Sequence, residues 1–254
     1  MVYLVECSDQ RNIFVFEILK ERQNCAEFKF SDGSAYEMSV TVVFSPARKL
    51  LPDEARALPA DAAVVGGAQS DGVLGILDAR GIQYRNLLSD EEYAVRNAKL
   101  TAEAALSLII GGTDKSVFEN NVLVLGCGRV GKAVALLLAK TGIKTAVATF
   151  DQAELAAAAL YADTAFPGQD LSAHIGGFDV VINTIPAKIL DGAILEKIAP
   201  GTMLFELASV DCLDRGEARG YPFEYVPAPG LPAKYSARAA AAIMAKSILA
   251  RAVG

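Results

Sequence analysis

VLVLGCGRVGKAV, Val122 to Val134, is the stretch whose reading decides the fold. An apolar run, Val122–Leu125, leads into Gly126-Cys127-Gly128-Arg129-Val130-Gly131. An amphipathic segment follows to Lys140 and stops at Gly142. This is the G-x-G-x-x-G spacing in the setting it requires, a buried strand bending into a helix. Gly126 permits the tight turn, Gly128 lets backbone approach a pyrophosphate, and Gly131 lets the helix sit against the strand. The first N–H groups of that helix then point at the phosphates. Gly126, Cys127, Gly128, Arg129, Val130 and Gly131 are therefore candidate dinucleotide-binding residues. The plainer alternative is a glycine-rich strand–helix turn with no ligand.

About twenty residues on, such a site carries an acid that bonds the ribose 2′-OH and repels a 2′-phosphate. Here TAVATFD, Thr145–Asp151, ends its strand on Thr149 and Phe150, with Asp151 after them. A neutral Thr149 removes the repulsion, yet no arginine stands beside it to grip a phosphate. Asp151 reads first as the N-cap of the helix beginning at Gln152. A nicotinamide dinucleotide is expected, with Thr149, Phe150 and Asp151 beside its ribose and the 2′ substituent left open between NAD and NADP.

Of the 254 residues 52 % are hydrophobic and 21 % charged, a globular composition. The apolar excess is largely alanine and valine, which suits helices packed on buried parallel strands. A net charge of −6 argues against a nucleic-acid partner. Four cysteines, Cys7, Cys25, Cys127 and Cys212, lack metal-ligand spacing, so reduced thiols and no metal are expected. The first residues, MVYLVECSDQ, read as a strand and not a signal peptide. No run is long and uncharged enough to span a bilayer. A cytoplasmic protein is expected.

Strand and helix patterns alternate along the chain, the signature of parallel sheets covered on both faces. In the first hundred residues strands are expected at VYLVEC, AEFKF, SVTVVF and AAVVGG, with an irregular one near IQYRNLL. Helices are expected at Asn12–Arg22 and Gly72–Arg80, and SPARKLLPDEARALPADA reads as a loop with a helical turn. The segment Asp90–Gly111 reads as a turn and then a long helix. Strands NVLVLG, KTAVATF, DVVINT, TMLFEL and FEYVPA follow. The domain boundary is placed near Lys99, giving 1–98 and 99–232. The alanine-rich helix 233–254 is expected to return to the first domain.

NAKLTAEAA (Asn97–Ala105), VLVLGCGRVG, DVVINTIPAKIL (Asp179–Leu190), LFELAS (Leu204–Ser209) and PAPGLPAKYSA (Pro227–Ala237) together resemble one family, that of the first of the two subunits of dipicolinate synthase. The resemblance runs from about Leu88 to the C-terminus. It implies a flavodoxin-like first domain and a Rossmann second domain, arranged as in formate/glycerate dehydrogenases. It also implies NADP-linked oxidation of dihydrodipicolinate to dipicolinate, with a flavoprotein second subunit, in the mother cell of a sporulating bacterium. A homo-oligomer is expected. Two departures bear on the substrate. Val210-Asp211-Cys212-Leu213 follows Ser209 where the family has Arg-Pro-Gly-Gly, and Phe150 stands where the family often has arginine.

Ligands of doubly wound domains sit at the carboxyl ends of the strands. Asn183, Thr184, Ile185 and Pro186 end one strand there and are expected near the nicotinamide ribose. Ser209 and Gly230-Leu231-Pro232 are candidate substrate contacts at the same edge. Thr101 reads as the N-cap of the connecting helix, where N–H groups would suit a dicarboxylate. Glu103 is the candidate base or proton relay. Lys234 and Arg238 could offset substrate charge. D-2-hydroxyacid dehydrogenases need a histidine and an arginine at the substrate. The only histidine, His174, precedes strand DVVINT, and Val210 replaces the arginine, so that chemistry is excluded. A shikimate-dehydrogenase-like enzyme, suggested by INTIP, lacks a recognisable lysine–aspartate pair. A nucleotide-binding regulatory or scaffold subunit, or a diverged dehydrogenase of another small cyclic acid, remains the alternative.

Overall fold

A computed structural model of the chain describes residues 2–30, 39–60 and 62–250. Met1 and residues 251–254, parts of the expected first strand and last helix, lie outside the described residues. The chain divides into two compact units, Met1–Asn97 with Pro232–Gly254, and Ala98–Leu231.

The first unit is built on β1 (Val2–Val5), β2 (Cys25–Glu27), β3 (Val40–Val43), β4 (Ala63–Gly66) and β5 (Gln83–Asn86). They lie in the order β2-β1-β3-β4-β5, every neighbouring pair parallel. That is the flavodoxin order. The helices are α1 (Gln10–Lys20), α2 (Pro52–Ala57) and α3 (Asp71–Ala79), and α4 (Glu91–Gly112) begins in this unit and continues in the second. Asp9 caps α1 by accepting from the Asn12 N–H at 2.9 Å. Strands buried on both faces need apolar residues at successive positions, and the four positions of β3 are all buried. Leu4, Val42 and Val64 face Ala55, Val73 and Leu77 of α2 and α3. Tyr3, Val5, Val43 and Val65 face Val15 and Leu19 of α1 on the other side.

The second unit carries β6 (Asn121–Leu125), β7 (Lys144–Thr149), β8 (Thr164–Pro167), β9 (Val180–Asn183), β10 (Met203–Glu206) and β11 (Glu224–Pro227). Their order is β11-β10-β9-β6-β7-β8, again all parallel. Counted within the unit this is the Rossmann order, whose winding reverses between β6 and β9. Around it lie α5 (Arg129–Thr141), α6 (Gln152–Ala158), α7 (Leu171–His174), α8 (Gly192–Leu195) and α9 (Arg215–Ala218), and α10 (Leu231–Tyr235) begins at the unit's last residue and continues in the first unit. Val122, Val124, Val134, Leu138, Val147 and Ile182 form one layer of its core. Leu123, Leu125, Val181, Leu195 and Leu204 form the other. The last helix, α11 (Ala237–Ala250), belongs to the first unit. Ala241, Met244, Ala245 and Ile248 pack with Tyr3, Val15, Leu19 and Tyr93.

Four expectations are corrected. The connecting helix starts at Glu91, ten residues before Thr101, because Asp90 takes the Tyr93 N–H at 3.2 Å and starts the helix there. Thr101 is therefore a buried interior residue and not an N-cap. An edge strand, β8, lies where none is expected; its four residues end on a proline and carry no long apolar run. The irregular strand near Ile82 is a regular parallel one. The C-terminal helix is two helices broken at Ser236, whose N–H bonds Pro232 O at 3.1 Å while its carbonyl accepts from Ala240 at 2.9 Å.

Met244 is fully buried in the first unit. Met244→Ala is expected to lower stability by about 2–4 kcal/mol in urea unfolding. An unchanged midpoint would show that α11 contributes nothing to that core.

Candidate functional site

The turn after β6 is held by contacts that only glycine permits. Gly126 has φ +92°, and a Cβ on it would lie 2.7 Å from Thr184 Oγ1 and 2.8 Å from Ile185 Cγ1. A Cβ on Gly131 would stand 2.1 Å from Gly126 O and 2.8 Å from Thr184 Oγ1. Helix and strand thus touch through backbone, as the motif demands. Thr184 Oγ1 donates to Leu125 O at 2.8 Å, so the loop after β9 clamps the turn from the neighbouring strand. Gly128 is different: it is exposed, and a Cβ on it would come no closer than 3.9 Å to a side chain of the described residues, that of Glu154 at its Oε1. Gly128 is also the N-cap of α5, and no side chain caps that helix. The first N–H groups of a helix have no acceptor within it. This open, uncapped start is what an anionic diphosphate fits.

Other expected cofactor residues divide by what their side chains do. Cys127 is buried, its Sγ 2.9 Å from Tyr161 Oη, and burial pushes its thiol pKa up, so it packs and offers a ligand only backbone. Arg129 stands exposed on the first turn of α5, with half-buried Val130 beside it. Thr149 is 4 % exposed and donates Oγ1 to Glu154 Oε2 at 2.7 Å. Phe150 is 49 % exposed and lays its ring over Gly168, where a Cβ would come within 2.7 Å of three ring carbons. Asp151 caps α6, its Oδ1 accepting from the Glu154 N–H at 2.8 Å. That bond occupies one oxygen of an exposed carboxylate.

Asn183 departs from expectation as well. Its amide is wholly buried and spent internally: Nδ2 donates to Glu206 Oε1 at 2.7 Å and Ile185 O at 3.0 Å, and Oδ1 accepts from the Ile185 N–H at 3.1 Å. It shapes the loop Thr184–Pro186 instead of offering polar atoms to a ligand. Glu206, which the sequence presents only as part of a strand end, is 2 % exposed and organises the adjoining loop. It accepts from the backbone N–H groups of Ala208 at 2.9 Å and Cys212 at 2.7 Å.

The expected substrate residues are dispersed. Ser209 and Gly230 are exposed just beyond β10 and β11, at the same carboxyl edge as the glycine turn. Leu231 is buried against Ala104 and Ala228, so its side chain is core, and Pro232 is buried in α10. Glu103 is exposed in the middle of α4, where no helix-start amides exist. Arg238 lies over the Phe14 ring at 4.8 Å, a cation–π contact within the first unit. His174 rests against Phe166 at 4.6 Å between rings, ahead of β9 and away from the carboxyl edge. Among the described residues no group of His, Cys, Asp and Glu could hold a metal.

In sequence, the first subunit of dipicolinate synthase from Bacillus subtilis is 28 % identical over 215 residues, 81 % of this chain and 70 % of that protein. The crystal structure of the same subunit from Bacillus halodurans superposes with a TM-score of 0.88 at 20 % identity, covering 98 % of this chain and 96 % of that one. In sequence and in fold the chain is similar to the first subunit of dipicolinate synthase. No protein-family model matches it. D-lactate dehydrogenase from Escherichia coli has the same fold more distantly, with a TM-score of 0.68 at 13 % identity over 98 % of this chain and 95 % of that one.

A hollow of the second unit, about 560 Å³, opens at the opposite, amino edge of the sheet, between the starts of β6, β9, β10 and β11. There Lys115 Nζ meets Asp179 Oδ1 at 2.5 Å, and Asp179 Oδ2 accepts from the Asn121 N–H at 2.9 Å. This carboxylate ties two strands together. Burial raises its pKa, but the Asn121 N–H and Lys115 outweigh burial and hold it below the ordinary 3.8.

Gly131→Val is expected to destabilise by about 3 kcal/mol in denaturant unfolding, since its new atoms meet rigid backbone. A variant as stable as the parent would show that helix and strand can part. A folded pKa below the unfolded one means that Asp179 stabilises above the unfolded pKa, and that this is lost as pH falls through the folded value. Asp179→Asn should therefore cost about 1–2 kcal/mol at pH 7. That cost should shrink as pH falls below the ordinary 3.8 and through the lower folded value, read from denaturant midpoints across pH.

Proposed function

We propose that the second unit binds a nicotinamide dinucleotide at the glycine turn. The protein would then be a dehydrogenase that oxidises dihydrodipicolinate to dipicolinate, together with a flavoprotein companion. One observation carries the reading: an uncapped helix start behind an open Gly128, at the winding reversal of a Rossmann sheet, in a chain similar to the first subunit of dipicolinate synthase. When bound, the dinucleotide supplies the acceptor for a hydride.

The backbone of Gly126–Gly131 would hold the diphosphate, with the positive end of α5 and Arg129 offsetting its charge. Phe150 offers an exposed ring at the adenosine end. Thr184, Ile185 and Pro186 close over the turn from β9 and would exclude water from the nicotinamide end. Ser209 and Gly230 stand where the ring acid would be placed, and Glu103 is the carboxylate proposed to take its proton. The substrate asks little more of the protein than placement. Losing a hydride and a proton makes the dihydropyridine ring aromatic, so orientation supplies much of the help. No helix among the described residues is long and apolar enough to cross a membrane.

A nucleotide-binding protein without turnover is the second reading. It is favoured by the polar groups at the strand ends, where Asn183 and Glu206 satisfy each other and Val210 is exposed in place of an arginine.

Mixing the protein with NAD or NADP and enzymatically generated dihydrodipicolinate should raise absorbance at 340 nm, faster when the flavoprotein companion is present. Binding of either dinucleotide by calorimetry without any absorbance change, with and without that companion, would select the second reading.

A further inference from the structure

We infer that Glu154, the third residue of α6, replaces the missing strand-end acid and makes the glycine turn selective for NAD over NADP. The inference rests on the dinucleotide reading above and deepens it.

A glutamate three residues after an N-cap ordinarily reaches back to the N-cap N–H and closes a capping box. In this chain that bond is not made. The Asp151 N–H is turned to Thr149 Oγ1 at 3.3 Å, and Thr149 in turn donates that hydroxyl to Glu154 Oε2 at 2.7 Å. The carboxylate is thereby swung off its own helix and across the end of β7. Its other oxygen, Oε1, lies 3.9 Å from the position a Cβ on Gly128 would take. A negative charge therefore stands directly over the second glycine of the motif. Glu154 is half-buried, so the charge is not fully dissolved in solvent. Its field reaches Cys127 and Tyr161, where it helps keep both protonated after the larger effect of burial.

Two vicinal hydroxyls of a ribose at this place would donate to Oε1. A 2′-phosphate would bring up to two negative charges against it. The side chains that could neutralise such a phosphate are missing from the strand end, where Thr149 donates to Glu154, Phe150 is apolar and Asp151 is an acid used as a cap. Thr149 is thus a positioning residue that holds the carboxylate. The acid has moved from the strand to the following helix while facing the same glycine.

Calorimetric titration of the full chain with NAD and with NADP tests the assignment. NAD is expected to bind roughly 100-fold more tightly than NADP, the scale of a close like-charge contact near a protein surface. In Glu154→Gln the ratio should fall to within about 10-fold, mainly because NADP binds better, while NAD loses about 10-fold with the charged hydrogen bond. Circular dichroism checks that the variant is folded. Glu154→Ala, which removes the side chain without substituting an amide, should relax the ratio in the same direction. If the parent binds neither dinucleotide, the dinucleotide reading itself fails and this assignment with it. If the parent binds NADP as well as NAD or better, the assignment alone is overturned. A ratio that collapses in Asp151→Asn but survives in Glu154→Gln would transfer the role to Asp151 and overturn it equally.

Discussion

The second unit depends on one close approach, the backbone of Gly131 lying against the carbonyl of Gly126 with no room for a carbon between them. Interiors are packed densely enough that such a contact sets the placement of everything attached to it. It brings α5 against the sheet and leaves the helix start uncapped and open. It also makes room for the loop of Thr184 and Ile185 to close from β9. That loop is in turn shaped by a buried pair, Asn183 and Glu206, whose hydrogen bonds satisfy two polar groups that could not remain unpaired at that depth. The candidate binding edge is thus a consequence of packing, from β6 across to β10.

Much of the fold is legible in the sequence because it rests on local patterns. Continuous apolar runs such as Val40–Val43 and Val122–Leu125 announce strands buried on both faces, and the glycine spacing announces the strand–helix bend. What escapes does so for physical reasons. β8 is short, sits at the edge of its sheet and ends on a proline, so it lacks the run that marks an interior strand. The start of α4 is hard to place because Thr101 looks like a cap, whereas Asp90 has already begun the helix and apolar Ala98, Ala102 and Ala105 carry it onward.

The site is legible in outline and not in its side chains. The residues of the glycine turn stand where the motif places them. The roles of Asn183 and Leu231 depend on partners distant in sequence: Glu206 is 23 positions from Asn183, and Ala104 is far from Leu231. Glu154 is hidden differently. Its position after Asp151 has the spacing of a capping box, which accounts for it locally. Only the hydroxyl of Thr149, turned away from the sheet and towards α6, shows that the carboxylate is engaged elsewhere. A hydrogen bond between side chains five residues apart leaves no trace in hydrophobic periodicity.

The place of α11 has a consequence for how the molecule is made. Residues 98–231 form a contiguous unit, whereas the sheet of the first unit waits for Ala241, Met244 and Ile248 to cover one face. During synthesis the earliest strands leave the ribosome with that face covered only in part, by α1. The middle of the chain can complete its own fold before they are covered, so the part made first is the part finished last.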